Sequence, residues 1–261
     1  MLRPRLSVFL MIHKNALYKS INFKKYIYLG DPVNAIRIFN DFEVDEVILV
    51  DIDASVNSKG VNFDLLKRIA AESRMPLCYG GGIKNIHDAE KIINLGVEKI
   101  SISSEAILNP NIINSISENF GRQSTVCCLD LKKNKKNLYE AFIFNGTKKV
   151  QDKIEDLFNS FLDNGAGEIL INNIDRDGTS LGFDQELINF VSKEINIPLS
   201  VLGGASNLND ISKIAKKFGI LGIVGGRIFT LVGNNKSVLL NYPNPEKKKK
   251  LFSSFQNNLR Y

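Results

Sequence analysis

Short apolar runs alternate with amphipathic stretches of helical period along the whole chain. Runs rich in Val, Ile and Leu are typical of strands covered on both faces, and apolar residues every three to four positions indicate helices. The predicted strands are Leu6–Met11, Glu46–Asp51, Pro76–Tyr79, Lys99–Ser103, Thr125–Asp130, Glu168–Asn172, Pro198–Leu202 and Ile220–Gly225. The predicted helices are Pro32–Phe42, Phe63–Ser73, Ile86–Leu95 (with Asn85 as its cap), Asn109–Asn119, Asp152–Asn164, Asp184–Glu194 and Asn207–Phe218.

Eight strands, each followed by a helix, in a chain of 261 residues favour a closed parallel barrel over an open sheet. The predicted fold class is therefore α/β, a (βα)8 TIM barrel. We expect residues 1–261 to form one such barrel, with half-barrels at about 1–121 and 122–261.

The second half of the chain repeats the first. The matched segments are Pro76–Ile83 with Pro198–Ala205, Ile100–Ser104 with Gly222–Gly226, Asp51–Asp53 with Asn173–Asp175, and Val8–Met11 with Cys127–Asp130. Two four-strand halves close naturally into eight, so the repeat strengthens the barrel prediction. One carboxylate fails to repeat, because Met11 stands opposite Asp130.

Two connections are longer than the others. Residues 12–31 follow the first predicted strand and residues 131–150 follow the fifth, so the two are symmetry mates. Asn145-Gly146, after Leu138–Phe144, is a hairpin turn signal. Because long loops after barrel strands lie on the catalytic face, we expect these two to act as lids.

Small residues stand in matched register at the ends of four predicted strands. They are Gly80–Gly82, Ser103-Ser104, Gly203-Gly204 and Gly225-Gly226. Glycines there let the backbone approach a ligand and point N–H groups at it, and the position after strands seven and eight is a recurrent phosphate site of barrel enzymes. The repeat predicts a phosphorylated small molecule with a phosphate, or a similar anion, at each end; the alternative is plain turn chemistry.

The composition, 44% hydrophobic and 24% charged, is typical of an ordinary soluble globular protein. No apolar run approaches the roughly 18 residues that span a bilayer. The run from Leu6 to Ile12 is too short for a signal peptide, so we predict a cytoplasmic protein with no membrane partner. Cys78, Cys127 and Cys128 lie in apolar runs without metal-ligand spacing, which predicts buried reduced thiols.

The net charge of +6 comes largely from two lysine-rich runs, Lys132–Lys136 in a predicted loop and Lys247–Lys250 at the start of the last helix. Neither is interleaved with aromatic residues, so we predict solvated faces and no nucleic-acid partner. Asp51-Ile52-Asp53 resembles a DXD metal motif, but it continues a strand and repeats as Asn173–Asp175. No metal and no cofactor are predicted.

Several motifs in the correct order carry a resemblance to a known family. They are Gly30-Asp31-Pro32, Asp51–Ser55, Gly80–Ile83, Gly165–Leu170 and Asp175–Thr179. From Met1 to about Phe229 the chain resembles HisF, the cyclase subunit of imidazole glycerol phosphate synthase. The resemblance implies a ribulose-phosphate-binding barrel that docks a HisH-like glutaminase on its N-terminal face. Ammonia would cross the barrel and attack a doubly phosphorylated substrate, giving imidazole glycerol phosphate and an aminoimidazole carboxamide ribotide.

The family uses two aspartates, at the ends of its first and fifth strands, as acid and base. Asp130 matches one of them, and Met11 occupies the position of the other. A thioether cannot move a proton, so one member of the acid–base pair is missing.

The remaining substrate positions retain part of the family pattern. Lys19, Asp51 and Asp177 are retained, whereas Ser103, Asn172 and Leu202 depart from it. Asp177 is either a substrate ligand or the helper of the Asp177-Gly178-Thr179 turn. The predicted substrate- and phosphate-binding residues are Lys19, Asp51, Gly81, Gly82, Ser103, Ser104, Asn172, Asp177, Gly203, Gly204, Gly225 and Gly226, with Asp130 as the catalytic residue.

At the opposite end of the barrel, Arg5, Glu46, Lys99 and Glu168 match the family's charged ammonia gate. The alternative is a ring of salt bridges that merely closes the barrel bottom. Hydrophobic residues of similar volume would often serve stability as well as buried ion pairs, so two cations and two anions suit a polar gate. Glu98 and Lys99 are expected near the glutaminase interface.

The segments Phe9–Asn15 and Ser237–Pro243 are similar to the second-copy, WbuZ-type HisF-like proteins of surface-polysaccharide clusters. That branch implies ammonia delivery to an ATP-dependent partner that amidates a nucleotide sugar in surface-glycan (LPS O-antigen) assembly. Two alternatives stay open, an authentic histidine-pathway cyclase and a non-catalytic anion-binding scaffold.

Overall fold

The computed structural model describes residues 4–56, 59–219, 222–233 and 236–253. The strands in these ranges are β1 (Arg5–His13), β2 (Ala16–Ile21), β3 (Lys25–Gly30), β4 (Glu46–Asp51), β5 (Leu77–Gly80), β6 (Lys99–Ile102), β7 (Thr125–Lys133), β8 (Tyr139–Ile143), β9 (Lys148–Lys149), β10 (Glu168–Asn173), β11 (Leu199–Leu202), β12 (Gly222–Gly225), β13 (Leu231–Val232) and β14 (Ser237–Val238). Their α-helices are α1 (Pro32–Asp41), α2 (Ile52–Val56), α3 (Phe63–Glu72), α4 (Ile86–Asn94), α5 (Ser104–Leu108), α6 (Asn111–Phe120), α7 (Ile154–Asp163), α8 (Gln185–Glu194), α9 (Leu208–Phe218), α10 (Arg227–Thr230) and α11 (Pro245–Leu251).

Eight of these strands form a closed parallel barrel in the order β1, β4, β5, β6, β7, β10, β11, β12, with β12 returning to β1. This confirms the predicted (βα)8 fold class. Ile220, at the start of the last predicted strand, lies outside the described residues, and β12 is seen from Gly222.

The longer predicted helices are confirmed within a few residues, and their starts follow local chemistry. Pro32 occupies the first turn of α1, where its missing N–H is no loss. The Asn85 side chain caps α4 by accepting from the backbone N–H of Asp88 at 3.0 Å, as predicted. The short helices α2, α5 and α10 directly follow strands β4, β6 and β12 and were not predicted.

The two long connections both fold as antiparallel hairpins that extend barrel strands. β1 continues into β2 and β3, and β7 continues into β8 and β9. In the first hairpin, Asn22 and Phe23 have positive φ, as a tight primed turn requires, and the backbone N–H of Lys24 donates to the carbonyl of Ile21 at 3.0 Å. In the second hairpin, the predicted Asn145-Gly146 turn is confirmed: both residues have positive φ, and the backbone N–H of Thr147 donates across them to the carbonyl of Phe144 at 3.2 Å.

Two apolar layers surround the strands. The larger lies between the barrel and its helices, and the smaller fills the barrel interior. The interior residues are Ile48, Cys78, Val126, Leu170, Leu202 and Val224, with Phe9, Val50 and Cys128 packed against them. The three cysteines are free thiols; Cys78 and Cys127 are buried, as predicted, and Cys128 is half-buried. Burial raises the pKa of the Cys78 thiol well above its usual value.

The lysine-rich runs are less uniform than predicted. Lys248 is 3% exposed, with its Nζ 2.8 Å from Asp45 Oδ1 and 5.0 Å from the ring centroid of Tyr242. The prediction of a fully solvated run is wrong there, because Lys248 ties α11 to the barrel. Lys132 and Lys133 belong to β7 rather than to a loop. No described helix combines the length and the apolar character needed to cross a bilayer.

Candidate active site

A pocket opens at the carboxyl ends of the barrel strands, with about 930 Å³ of empty space including its opening to solvent. We call it the main pocket. Ten of the positions singled out in the sequence line it, namely Met11, Asp51, Gly80, Gly81, Gly82, Ser103, Ser104, Asp130, Asn172 and Leu202. A smaller side pocket adjoins it, because Leu202 lines both.

The side pocket is lined by five more of the predicted positions, Lys19, Asp177, Gly203, Gly204 and Gly226. Gly225 lines neither pocket, because a Cβ there would lie 2.5 Å from the Phe229 ring. Gly225 is thus a packing position for α10.

Asp130 is the carboxyl group best placed for proton transfer in the main pocket. Burial raises its pKa to about 7, a hydrogen bond from Asn172 Nδ2 at 3.0 Å opposes this shift, and the Asp177 charge reinforces it. A carboxyl group with a pKa near neutrality can both accept and donate a proton.

Met11 occupies the position equivalent to Asp130 in the other half of the barrel. Met11 faces Val50 on β4 in the same way that Asp130 faces Asn172 on β10. Its side chain is 4% exposed and supplies no proton-transfer group. Of the two equivalent positions, Met11 on β1 and Asp130 on β7, only the second therefore carries a carboxyl group.

Two buried polar atoms of the main pocket have no hydrogen-bond partner, Ser103 Oγ and Asn172 Oδ1. Buried polar groups are almost always satisfied in folded proteins, and an exception calls for a reason. Their place in the wall of a cavity indicates groups that a ligand satisfies.

The glycine turns of the two half-barrels have the same structure. Gly81 has φ +112°, and a Cβ on it would lie 2.2 Å from the carbonyl oxygen of Asp51. Gly203 has φ +104°, and a Cβ on it would lie 2.7 Å from the carbonyl oxygen of Asn173. Only glycine fits both the conformation and the space, which fixes these loops close to the mouth.

The β2–β3 hairpin, which starts in the first half-barrel, rests on the second. The backbone N–H of Asn22 donates to the carbonyl of Asp177 at 2.9 Å, and Asn22 Nδ2 donates to the carbonyl of Asp175 at 2.7 Å. A Cβ on Gly178 would lie 2.2 Å from the carbonyl oxygen of Ser20, so the hairpin packs directly on that glycine.

The β8–β9 hairpin, which starts in the second half-barrel, rests on the first. The backbone N–H of Phe144 donates to Ser104 Oγ at 3.1 Å, and Asn145 Nδ2 donates to the carbonyl of Ile52 at 2.9 Å. The two tips meet, since Phe23 of one lies against Gly146 of the other. The hairpins therefore cross above the mouth and partly cover it.

Lys19 is brought into the site by the first hairpin. It is 2% exposed, and its Nζ lies 2.5 Å from Asp177 Oδ1. Ser20 Oγ donates to the other Asp177 oxygen. Asp177 thus holds the hairpin down and lines the side pocket, a role that neither sequence alternative described.

Sequence reasoning missed Arg227, which also lines the side pocket and donates from Nη1 to the carbonyl of Gly178 at 2.9 Å. Its position directly after Gly225-Gly226 was the available signal. The aromatic residues Phe23, Tyr26 and Phe144 were also missed, because they reach the main pocket only through the fold of the hairpins.

At the amino ends of the strands, the four predicted gate residues form one ring. Arg5 Nε lies 2.9 Å from Glu46, and Arg5 Nη2 pairs with Glu168. Lys99 Nζ lies 2.8 Å from Glu46 and 2.9 Å from Glu168. Burial lowers the pKa of the Lys99 ammonium, but the Glu168 and Glu46 carboxylates outweigh it and raise the pKa overall.

Two serines, which sequence reasoning missed, complete this ring. Ser7 Oγ donates to Glu46 at 2.8 Å and Ser200 Oγ donates to Glu168 at 2.5 Å. Burial raises the pKa of Glu168, but the neighbouring Arg5 and Lys99 charges bring it below its usual value, so Glu168 stays ionised at neutral pH.

Alternation along the strands orders the barrel interior into layers. Side chains two residues apart share a face of a strand, so Glu46, Ile48 and Val50 point inward on β4, as do Glu168, Leu170 and Asn172 on β10. The charged ring is the floor, the small apolar cluster lies above it, and the main pocket lies above the cluster. Among the described residues, no group of three His, Cys, Asp or Glu side chains is placed to share a metal ion.

Comparison with known proteins gives one family. The family model described as "Histidine biosynthesis protein" matches residues 12–233. A protein of Leptospira borgpetersenii, provisionally named an imidazole glycerol phosphate synthase subunit HisF, is 46% identical over 253 residues, covering 97% of this chain and 100% of the relative.

Two further relatives carry similar names. A Vibrio vulnificus protein, provisionally named imidazole glycerol phosphate synthase subunit hisF3, is 44% identical over 96% of each chain. The imidazole glycerol phosphate synthase subunit HisF of Alkaliphilus metalliredigens is 35% identical, covering 81% of this chain and 84% of its own. The chain belongs to the histidine biosynthesis protein family, as a HisF-like member.

Proposed function

We propose that this chain is the ammonia-accepting synthase subunit of a two-subunit glutamine amidotransferase. The arrangement that carries the proposal is the stack of charged ring, apolar interior and polar pocket within one barrel. An apolar passage suits neutral ammonia better than ammonium, because an unpaired cation is costly to bury. The ring would admit ammonia from below, and the pocket would hold the acceptor.

The partner in this proposal is a HisH-like glutaminase docked on the N-terminal face, beside Glu98 and Lys99. Support comes from the relatives, whose names describe them as subunits of imidazole glycerol phosphate synthase. The 18% exposure of the Lys99 side chain leaves it within reach of a protein seated on that face.

The final acceptor that we propose is a nucleotide sugar of surface-glycan (LPS O-antigen) biosynthesis, amidated with an ATP-dependent partner in the cytoplasm. The support is the resemblance of Phe9–Asn15 and Ser237–Pro243 to the second-copy branch, together with Met11. Cyclisation needs a paired acid and base, and here Asp130 supplies a carboxyl group but the Met11 thioether cannot transfer a proton.

A histidine-pathway cyclase is the second candidate. The pKa of about 7 at Asp130 favours it, because that residue can exchange a proton at physiological pH. A non-catalytic anion-binding scaffold is the third, and it needs only the glycine turns and the cations of the side pocket.

The gate is tested by pairing the purified chain with a HisH-type glutaminase and measuring glutamine hydrolysis and ammonia consumption. We expect the chain to activate hydrolysis, and Lys99→Met to uncouple hydrolysis from ammonia use by at least about tenfold. Lys67→Met, at an exposed lysine of α3, is the matched control. A scaffold that conducts nothing would leave Lys99→Met indistinguishable from Lys67→Met.

The acceptor is tested by supplying the histidine-pathway substrate with ammonium salt, which bypasses the glutaminase. We expect little or no imidazole glycerol phosphate, measured by chromatography of the products. Robust formation would replace the first candidate with the second.

A further inference from the structure

We infer that the two ends of the site take chemically different groups, an anion in the side pocket and an uncharged, donor-bearing ring in the main pocket. The inference rests on the proposed function and narrows its substrate class. It departs from the expectation of an anion at each end, which the glycine repeat alone suggested. One ligand can reach both sites, because the pockets adjoin at Leu202.

The side pocket carries the positive charge. Lys19 and Arg227 both line it, and Asp177 balances one of the two. The Gly203-Gly204 turn lies in the same wall and brings backbone close to the cavity. A net cation beside an open backbone turn matches a phosphate or a similar oxyanion.

The main pocket, although it is the structural repeat of that site, carries the opposite charge. The described residues that line it include the acidic residues Asp51, Asp130 and Glu105, and none of them is a lysine or an arginine. Glu105, on α5, directly follows Ser103-Ser104, where the repeat suggested the second phosphate. An anion there would meet like charge with no cation in the wall.

Hydrogen bonding at the main pocket also counts against an oxyanion. The backbone N–H of Gly82, a donor that an oxyanion would seek, already donates to Ser55 Oγ at 3.2 Å. Ser104 Oγ accepts from the backbone N–H of Phe144, which ties this hydroxyl to the hairpin and leaves its own hydrogen free to donate.

The main pocket instead offers hydrogen-bond acceptors to a ligand. Asn172 is 4% exposed, its Nδ2 donates to Asp130, and its Oδ1 is left unpartnered in the cavity wall. A ligand that satisfies Oδ1 must bring a hydroxyl or an amino hydrogen. Ser103 Oγ, also unpartnered, can take part in the same set.

The hairpins add flat apolar surface on the solvent side of the main pocket. Phe23 and Tyr26 come from the first hairpin and Phe144 from the second, and all three line the cavity. Aromatic side chains pack well against sugar or heteroaromatic rings, and such a ring carries the hydroxyl or amino donors that the acceptors need. The substrate class is therefore a ring with a phosphate, or similar anion, at one end only.

The test compares two probes of one carbon skeleton, fructose 6-phosphate and fructose 1,6-bisphosphate, by isothermal titration calorimetry on the full chain at millimolar ligand. We expect the monophosphate to bind at least as tightly as the bisphosphate. A bisphosphate that binds about tenfold more tightly, as a second charge-assisted contact would give, overturns the inference and leaves the proposed function standing.

Two variants test which pocket binds the phosphate and which does not. We expect Arg227→Gln to weaken both probes about tenfold, and Glu105→Gln to strengthen the bisphosphate alone by removing repulsion. Glu90→Gln, at an exposed glutamate of α4, is the control for Glu105→Gln. Equal effects of Glu105→Gln and Glu90→Gln on bisphosphate binding would count against the charge assignment. Failure of both probes to bind the parent protein at millimolar concentration would overturn both this inference and the phosphorylated substrate of the proposed function.

Discussion

Asp130 is a carboxyl group whose surroundings hold its pKa near 7. Burial is the main cause, and the Asn172 amide only partly offsets it. In the unfolded chain the same group has an ordinary pKa of 3.8. Between pH 3.8 and about 7, the folded protein keeps the Asp130 proton and the unfolded chain does not. The stability that protonated Asp130 contributes is therefore present at low pH and is lost as the pH rises through 7.

Asp130→Asn is expected to remove this pH dependence. An asparagine can keep the contact with Asn172 and carries no charge, so the variant should gain stability relative to the parent as the pH rises from about 4 to above 7. The gain is on the order of a few kcal/mol at alkaline pH. Thermal unfolding of both proteins across this range measures it, and parallel curves would show that Asp130 titrates normally in the fold.

Met11→Asp is the complementary change. It would restore the pairing that the repeat implies, but it buries a carboxyl group at a site that is 4% exposed and faces Val50. We expect lower stability, because burial of an unpaired polar group costs about 1–3 kcal/mol.

Only traces of cyclase activity are expected from the same variant, since Ser103, Asn172 and Leu202 also differ and catalytic groups act non-additively. Denaturant unfolding and product assay are the two measurements. Recovery to within about tenfold of a histidine-pathway enzyme would show that those other differences matter little.

At the scale of elements, the two hairpins decide access to the site. Each leaves its own half-barrel and binds the loops of the other half, through Asn22 in one case and Asn145 in the other. The first depends on Gly178, which lies directly under Ser20.

Gly178→Ala is expected to lift the β2–β3 hairpin. The added Cβ would meet the Ser20 carbonyl, and the residue would also pay the roughly 1 kcal/mol strain of a positive φ. Gly96→Ala is the matched control, because Gly96 has φ +93° and open space around its Cβ position.

Hydrogen exchange of residues 16–30 separates the two effects. Faster exchange in Gly178→Ala alone supports docking through Gly178. Equal exchange in both variants would mean that strain, and not the contact, changes the hairpin.

Elements whose structure is determined by local pattern are the ones that the sequence predicts most closely. Strand β4, from Glu46 to Asp51, and the capped start of α4 at Asn85 were predicted closely, since apolar runs and caps act locally. The first hairpin was predicted only as a lid loop. Half of the residues of β3 are exposed, and both β2 and β3 carry Tyr and Lys among their apolar residues. Their pairing also depends on β1 extending beyond the barrel.

At the scale of the whole molecule, the internal repeat of the sequence predicts where the mouth of the barrel lies. Gly81 and Gly203 stand at the same place in the two halves because the same strand geometry recurs. The difference between the two ends was less accessible. It depends on Lys19 and Arg227 converging on one pocket from distant parts of the chain, and sequence spacing does not determine such tertiary contacts.

The charged ring at the opposite end of the barrel also depends on tertiary contacts that sequence spacing does not determine. The resemblance supplied Arg5, Glu46, Lys99 and Glu168, but the serines that complete their hydrogen bonding were not predicted. Ser200 lies on β11, and it comes next to Glu168 on β10 only when these two strands pair in the barrel.

The crossed hairpins make the partial enclosure of the mouth a joint property of the two halves of the chain. Expressed alone, residues 1–121 would carry a hairpin tip without the loops on which it rests, and so would residues 122–261. Each fragment would therefore leave the mouth more open to water than it is in the whole barrel. A half-size polypeptide would have to pair with a second copy before it could shelter a reaction to the same extent.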